Sequence, residues 1–465
     1  MKRIRFTLFV AAVTTVLYLA VEARQGLFSQ PFSLKNFLII VAFVAGASWI
    51  HRKRMARLAS REIAATGLPG DRETNASPVR TYLGEVLCDD VRRPGRIVYM
   101  DWLRVLAAVL VVALHIIRST VEKLPAHTPS WEFFSALSSL FAVCNVLFVL
   151  ISGALILGKR PGEALDRTGE KDASILRFYG KKAVNVLVPC FLYFLFYMFY
   201  AFGLSALYPA NWGNLLRQFA GNTTGLTPHF WLVHVILLFY VAAPFFKCLT
   251  RQMRDGTAAV MAAVIFLAHC YFLYGSYAGM GYVATTFLGA WDAVFLLGYF
   301  CTTGIALRLY HFLLVGAAAA VVFIVFAVHA IDGYEILVFN NAPPMLLLGC
   351  ALFLTFRTYG DTVFSRIPSL FAVLAKYSFP VLMIHWFVFF EIVEKRLGVN
   401  GMMFVGGGLS GGLTGLPGLA AGMLLSTVLT LAISAAFAVV FDNTVVLCVE
   451  TVLGGVSGRA LGEKR

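Results

Sequence analysis

Charge is what this chain of 465 residues has least of: Asp, Glu, Lys and Arg make up 13% of it, against 59% hydrophobic residues. Soluble domains carry about 25% charged and about 45–50% apolar residues. So little charge excludes an ordinary soluble protein. Cysteine spacing excludes two further classes. The eight cysteines are scattered singly, with no Cys-x-x-Cys and no Cys/His ligand spacing. Neither a disulfide framework nor a metal site is therefore expected. No Walker loop is present either, which argues against an NTP-driven pump.

What the chain does have is apolar length. The 41 Phe and 18 Tyr stand within long hydrophobic runs, and crossing the hydrocarbon takes about 20 such residues. Twelve runs qualify as helical spans: 6–21, 36–50, 99–120, 134–157, 184–207, 229–246, 257–275, 285–307, 311–330, 342–356, 378–393 and 417–441. The expected fold is all-α, a polytopic membrane protein of about twelve transmembrane helices. It divides into an N-terminal hairpin over 1–50, a cytoplasmic linker over 51–98, a ten-helix core over 99–445 and a cytoplasmic tail over 446–465. The linker opens on the basic run His51-Arg52-Lys53-Arg54 and contains Pro-Gly pairs at 69–70 and 94–95.

The net charge of +14 suits nucleic acid, an acidic substrate or a membrane surface until the charges are placed. With both termini in the cytoplasm, 30 of the 38 Lys and Arg fall on the cytoplasmic side. That is the asymmetry of the positive-inside rule. The excess is a topology signal, nucleic acid is not needed to explain it, and the expected location is the cell (inner) membrane.

Against this apolar background the helix from Tyr99-Met100-Asp101-Trp102-Leu103-Arg104 to His115 stands out. Arg104 and His115 are three turns plus about 20° apart, so they share a helix face, with a rise between them of about 16 Å. Arg104 then lies near the cytoplasmic interface and His115 near mid-membrane. Ionisable side chains inside a span are costly, and they mark candidate functional sites.

Arg-x10-His resembles the signature of the acyltransferase-3 family of integral membrane O-acyltransferases. Further stretches are similar to its motifs in the right order. They are Leu147 to Gly153, Arg177 with Lys181-Lys182 and Pro189, His229-Phe230-Trp231-Leu232 followed by Tyr240 and Pro244, and Ser378 through His385. Asp101 to Arg104 with Ile151 to Leu155 most resembles the enterobacterial-common-antigen O-acetyltransferase branch. Asn185 stands where a second Arg is common, and the 1–98 extension matches no assigned pattern.

The resemblance implies transfer of an acyl group, acetyl above all, from cytoplasmic acyl-CoA to a hydroxyl of a cell-surface or lipid-linked saccharide. It implies His115 as general base and Arg104 as the group that orients the donor, acetyl-CoA. Arg177, Lys181 and Lys182 would attract its phosphates, although positive-inside charge explains these three equally well. Ser152 is a candidate donor contact, but close helix packing at Ser152-Gly153 is the favoured reading. The resemblance adds His229 to the acceptor side, and Trp231, Asp292 and His385 are further candidates there. Aromatic-belt anchoring explains Trp231 by itself, and an interfacial structural role suits Asp292 equally well. Helix packing is the commoner role of a mid-span histidine such as His385. A succinyl-type acyltransferase and a transporter or flippase of a glycan intermediate are the alternatives. The inverted repeats common in transporters are not evident.

Overall fold

The computed structural model describes residues 95–158, 173–202, 211–221, 225–279, 290–405, 415–447, 449–450 and 453. Helix is the only regular structure among the described residues, which form an all-α polytopic membrane protein. Nine helical segments among them are long and apolar enough to cross a membrane. The hairpin expected over 1–50 and the linker over 51–98 lie outside the described residues, save 95–98.

Most expected core spans correspond to one helical segment each. The first is α1 (Val98–Val121). The second is built from α2 (Pro129–Phe141) and α3 (Val143–Leu157), which meet at Ala142. Thr128 caps α2 by accepting the Trp131 N–H, and Pro129 holds its first position. Proline suits that position, where its missing N–H costs nothing.

The third span joins α4 (Ala173–Lys182), one π-helical turn (Ala183–Leu187) and α5 (Val188–Phe202). After the short α6 (Trp212–Gly221), a 3-10 turn (Pro228–Phe230) leads into α7 (Trp231–Arg251). Then come α8 (Asp255–Tyr277), α9 (Trp291–Phe300) and α10 (Gly304–Arg308). The remainder is α11 (Tyr310–Ala330), α12 (Glu335–Val338), α13 (Pro343–Thr358), α14 (Ser369–Phe387), a π-helix (Val388–Glu394) and α15 (Leu416–Phe441).

The span expected at 285–307 differs from expectation. Its apolar helix is only Trp291–Phe300, and residues 280–289 are outside the described residues. Thr303 accepts the Ala306 N–H and starts the separate helix α10. A hydroxyl cap of this kind competes with helix continuation.

In lipid, apolar side chains gain nothing by turning inward, so helices associate through close packing and internal hydrogen bonds. Helices α1, α3 and α14 are the most enclosed, and α8, α11 and α15 lie at the periphery. The tightest approach joins α3 to α9. A Cβ on Gly153 would overlap the Phe295 carbonyl, and one on Gly298 would overlap the Leu150 carbonyl. Ser152 turns its hydroxyl back onto its own helix, donating to the Phe148 carbonyl at 2.8 Å.

Two basic side chains cap helix ends. Lys247 is buried and donates to the Gly158 carbonyl at 2.7 Å, just past α3. Arg357 donates to the carbonyls of Cys301 and Thr303 at 2.7 and 2.8 Å, between α9 and α10. Cations are favoured at Gly158 and Cys301, which end α3 and α9, because the last carbonyls of a helix lack intrahelical partners. Both charges are thus structural at the end of the bundle that carries Arg104.

Candidate functional site

The helix α1 is unbroken through both of its ionisable landmarks, so Arg104 and His115 keep the three-turn separation. At its N-terminus Asp101 is fully buried and takes two cations. Arg96 reaches it in a fork, Nε to Oδ2 and Nη2 to Oδ1 at 2.9 Å each, and Arg104 Nη1 donates to Oδ1. A carboxylate between two guanidinium groups satisfies its lone pairs and fixes both forks. The Arg104 side chain keeps 22% of its surface exposed, so it is held without being sealed. Tyr240 on α7 lies within electrostatic reach of Arg104 and carries Lys182 Nζ over its ring at 4.3 Å.

Three turns along α1, His115 meets His385, the middle member of a row of three histidines. Its ring stacks on His385 of α14, centres 5.2 Å apart, and meets the edge of Trp386 at 5.0 Å. His385 in turn lies 5.1 Å from His229, whose ring is parallel to Trp386 at 5.8 Å. Three chain segments remote in sequence thus deliver three imidazoles and an indole to one place. His229 and His385 are buried, whereas His115 is half-buried and is the accessible member.

Backbone carbonyls fix the tautomers of the two buried rings. His229 Nε2 faces the Met383 carbonyl at 2.9 Å, and His385 Nδ1 faces the Leu382 carbonyl at 2.8 Å. A carbonyl only accepts, so each of those nitrogens carries the proton. The opposite nitrogens, His229 Nδ1 and His385 Nε2, are bare acceptors with no hydrogen-bond partner among the described residues. Buried acceptors left unmatched cost free energy, and they suit a site that receives a hydroxyl. No group of three His, Cys, Asp or Glu among the described residues converges as metal ligands.

A family model described as an acyltransferase domain, that of the acyltransferase-3 family, matches residues 97–439. The chain belongs to the acyltransferase-3 family. No curated protein and no solved structure gives a significant match. The matched stretch holds every residue of the histidine cluster and of the Asp101 clamp except Arg96, which directly precedes it.

The remaining candidates of this acyltransferase fall elsewhere. Trp231 packs on Trp291 at 5.3 Å, beside Asp292, which opens α9. Arg177 and Lys181 lie on α4, and their side chains are outside the described residues. Ser152 is engaged within its own helix.

Two residues that no motif in the sequence singles out join these groups: Arg96, and Tyr197, whose hydroxyl donates to the Met383 carbonyl at 3.0 Å. Arg96 precedes α1 and reaches Asp101 five residues on, so the spacing Arg-x4-Asp across a helix start was the available signal. Tyr197 is one aromatic among the many of Phe191 to Tyr200, and nothing in that run distinguishes it.

At the same end as Arg104 a cavity of about 370 Å³ opens between Tyr99, Met100, Asp255, Tyr299, Thr303 and Arg357. Two of its charged groups are already engaged. Asp255 accepts the Ile305 N–H at 3.2 Å, and Arg357 holds the two carbonyls of its helix cap.

Proposed function

We propose that this membrane acyltransferase is an O-acetyltransferase. It takes acetyl from cytoplasmic acetyl-CoA and places it on a hydroxyl of a cell-surface or lipid-linked saccharide. The observation that carries the reading is the contact of His385 with half-buried His115, whose own helix bears Arg104 three turns away. One helix thereby links a fixed cation for the donor to a cluster of imidazoles for the acceptor. In this reading both termini are cytoplasmic and the Arg104 end faces the cytoplasm, as the charge asymmetry argues. The likeness of Asp101 to Arg104 and Ile151 to Leu155 to the enterobacterial-common-antigen branch supports a glycan acceptor.

His115 accepts the proton of the acceptor hydroxyl while that oxygen attacks the thioester carbonyl carbon. The C–S bond breaks, the CoA sulfur leaves with the bonding pair, and the proton on His115 passes to it. The products are the O-acetyl ester and free CoA. Arg104, held by Asp101, binds a donor phosphate or the thioester carbonyl; its planar fork serves either contact. Lys182, whose Nζ lies over the ring of Tyr240, adds positive charge for the donor.

Sealed inverted membrane vesicles, which present the cytoplasmic face outward, test the reading. With radiolabelled acetyl-CoA outside, label is expected in the saccharide fraction, with release of an equal amount of free CoA. Transfer from succinyl-CoA in place of acetyl-CoA would change the acyl group. Absence of both label and CoA release with either donor would overturn the proposal.

A further inference from the structure

The turn of α14 that presents His385 and Trp386 to His115 is held from outside by a phenol. In an α-helix the Phe387 N–H pairs with the Met383 carbonyl, four residues back. Here the Phe387 N–H donates to the Tyr197 hydroxyl at 3.2 Å, and that hydroxyl donates to the Met383 carbonyl at 3.0 Å. Tyr197 Oη therefore bridges both ends of one helical rung, and the residues enclosed by that rung are Ile384, His385 and Trp386. The same Met383 carbonyl receives His229 Nε2 at 2.9 Å. Tyr197 also lies against the His229 ring at 5.8 Å.

The helix leaves α geometry immediately afterwards, continuing as the π-helix Val388–Glu394. Such bulges concentrate at functional sites, and insertion of a side chain into the helical ladder is an established cause of altered helix geometry. Tyr197 is buried. Its hydroxyl has both its donor and one acceptor role filled by this rung.

We propose that Tyr197 is a positioning residue for acyl transfer. By bridging Met383 and Phe387 it holds the turn that keeps His385 and Trp386 against His115. The proposal rests on the reading of His115 as the base. Tyr197 itself touches neither donor nor acceptor. Donor binding at Arg104, three turns along α1, is separate from it.

The test is Tyr197→Phe, which keeps the ring and removes one oxygen, alongside Tyr200→Phe. The Tyr200 hydroxyl donates to Glu391 at 2.7 Å instead, so that variant controls for loss of a neighbouring phenol. Tyr197→Phe is expected to lower kcat for acetyl transfer roughly 10- to 100-fold, the scale of a small misplacement of a reacting group. KM for acetyl-CoA is expected to stay within about twofold, because uniform donor binding is untouched. A kcat within about twofold of wild type would overturn the proposal, and so would a parallel loss of kcat, donor affinity and folded protein.

Nitrogen NMR of histidine-labelled protein supplies a readout that needs no activity. The imidazole signals of His229 and His385 are expected to move in Tyr197→Phe and to stay in Tyr200→Phe. Unmoved signals would overturn the positioning role even in an active enzyme. Moved signals in Tyr197→Phe, where the wild type itself transfers no acetyl, would instead retain the rung and overturn the acetyltransferase reading.

Discussion

The imidazole of His115 lies face to face with that of His385, ring centres 5.2 Å apart and planes inclined by 29°. Two imidazoles in contact restrict where a transferred proton rests. His385 is fixed as its Nδ1–H tautomer by the Leu382 carbonyl, so it presents a bare nitrogen on its other edge. His385→Asn is therefore expected to lower kcat by about 10²-fold, at the lower end of what a positioned base contributes. KM for acetyl-CoA is expected to hold. Steady-state kinetics on the purified variant check this, and an unchanged kcat would remove His385 from the site.

Asp101 is the buried partner of both Arg96 and Arg104, and substituting it leaves two guanidinium groups without their common acceptor. Asp101→Asn is expected to raise KM for acetyl-CoA, because Arg104 loses its fixed orientation. The loss in stability is expected to be roughly 1.5–3 kcal/mol, the range for a hydrogen bond to a charged group. Arg96→Ala is expected to show the same direction with a smaller effect, since the Arg104 contact survives. Donor titration and thermal unfolding in detergent separate the two effects.

The Gly153–Gly298 crossing has no room for a methyl group, because the atoms that would be struck are backbone carbonyls. Gly153→Ala and Gly298→Ala are each expected to destabilise the protein by about 1–3 kcal/mol, the usual cost of overpacking. Ser152→Ala is expected to leave donor affinity unchanged, because that hydroxyl is occupied by Phe148. Thermal unfolding of the three variants, with donor titration of the last, checks both expectations.

How much of this arrangement was legible in the sequence depends on the range of the interaction. The apolar core spans were legible because a run long enough for the bilayer leaves few alternatives. Arg104 and His115 were legible as a pair because 3.6-residue periodicity places them on one face of one helix. The meeting of His115, His229 and His385 was not, since it depends on which helices pack together. Likeness to a family supplied His229 and His385 individually, without their contact. Trp231 and Asp292 stand out by their places near the outer ends of spans, and the fold packs Trp231 on Trp291. Arg96 and Tyr197 act through side-chain reach across a helix start and a helix rung, which no periodicity encodes.

Just beyond the last span, burial pushes Asp442 up to about 7, against the Tyr193 hydroxyl that donates to it at 2.8 Å and the Lys376 charge. Its ordinary value is 3.8, so the folded state holds this proton more tightly than the unfolded chain does. Its contribution to stability is then complete below about pH 4 and is lost as pH rises through about 7. Thermal midpoints in detergent are expected to fall between about pH 5 and pH 7 in wild type and to fall less in Asp442→Asn. Equal pH slopes in the two proteins would contradict this.

The account turns on His115 as the base that serves acetyl transfer. The most direct measurement compares wild type and His115→Ala in the same inverted vesicles, following label from acetyl-CoA into saccharide while recording donor binding. The predicted result is a loss of transfer of about 10²–10⁴-fold, the range for a general base, with acetyl-CoA still bound by the Arg104 end. Wild-type transfer rates in His115→Ala would contradict it.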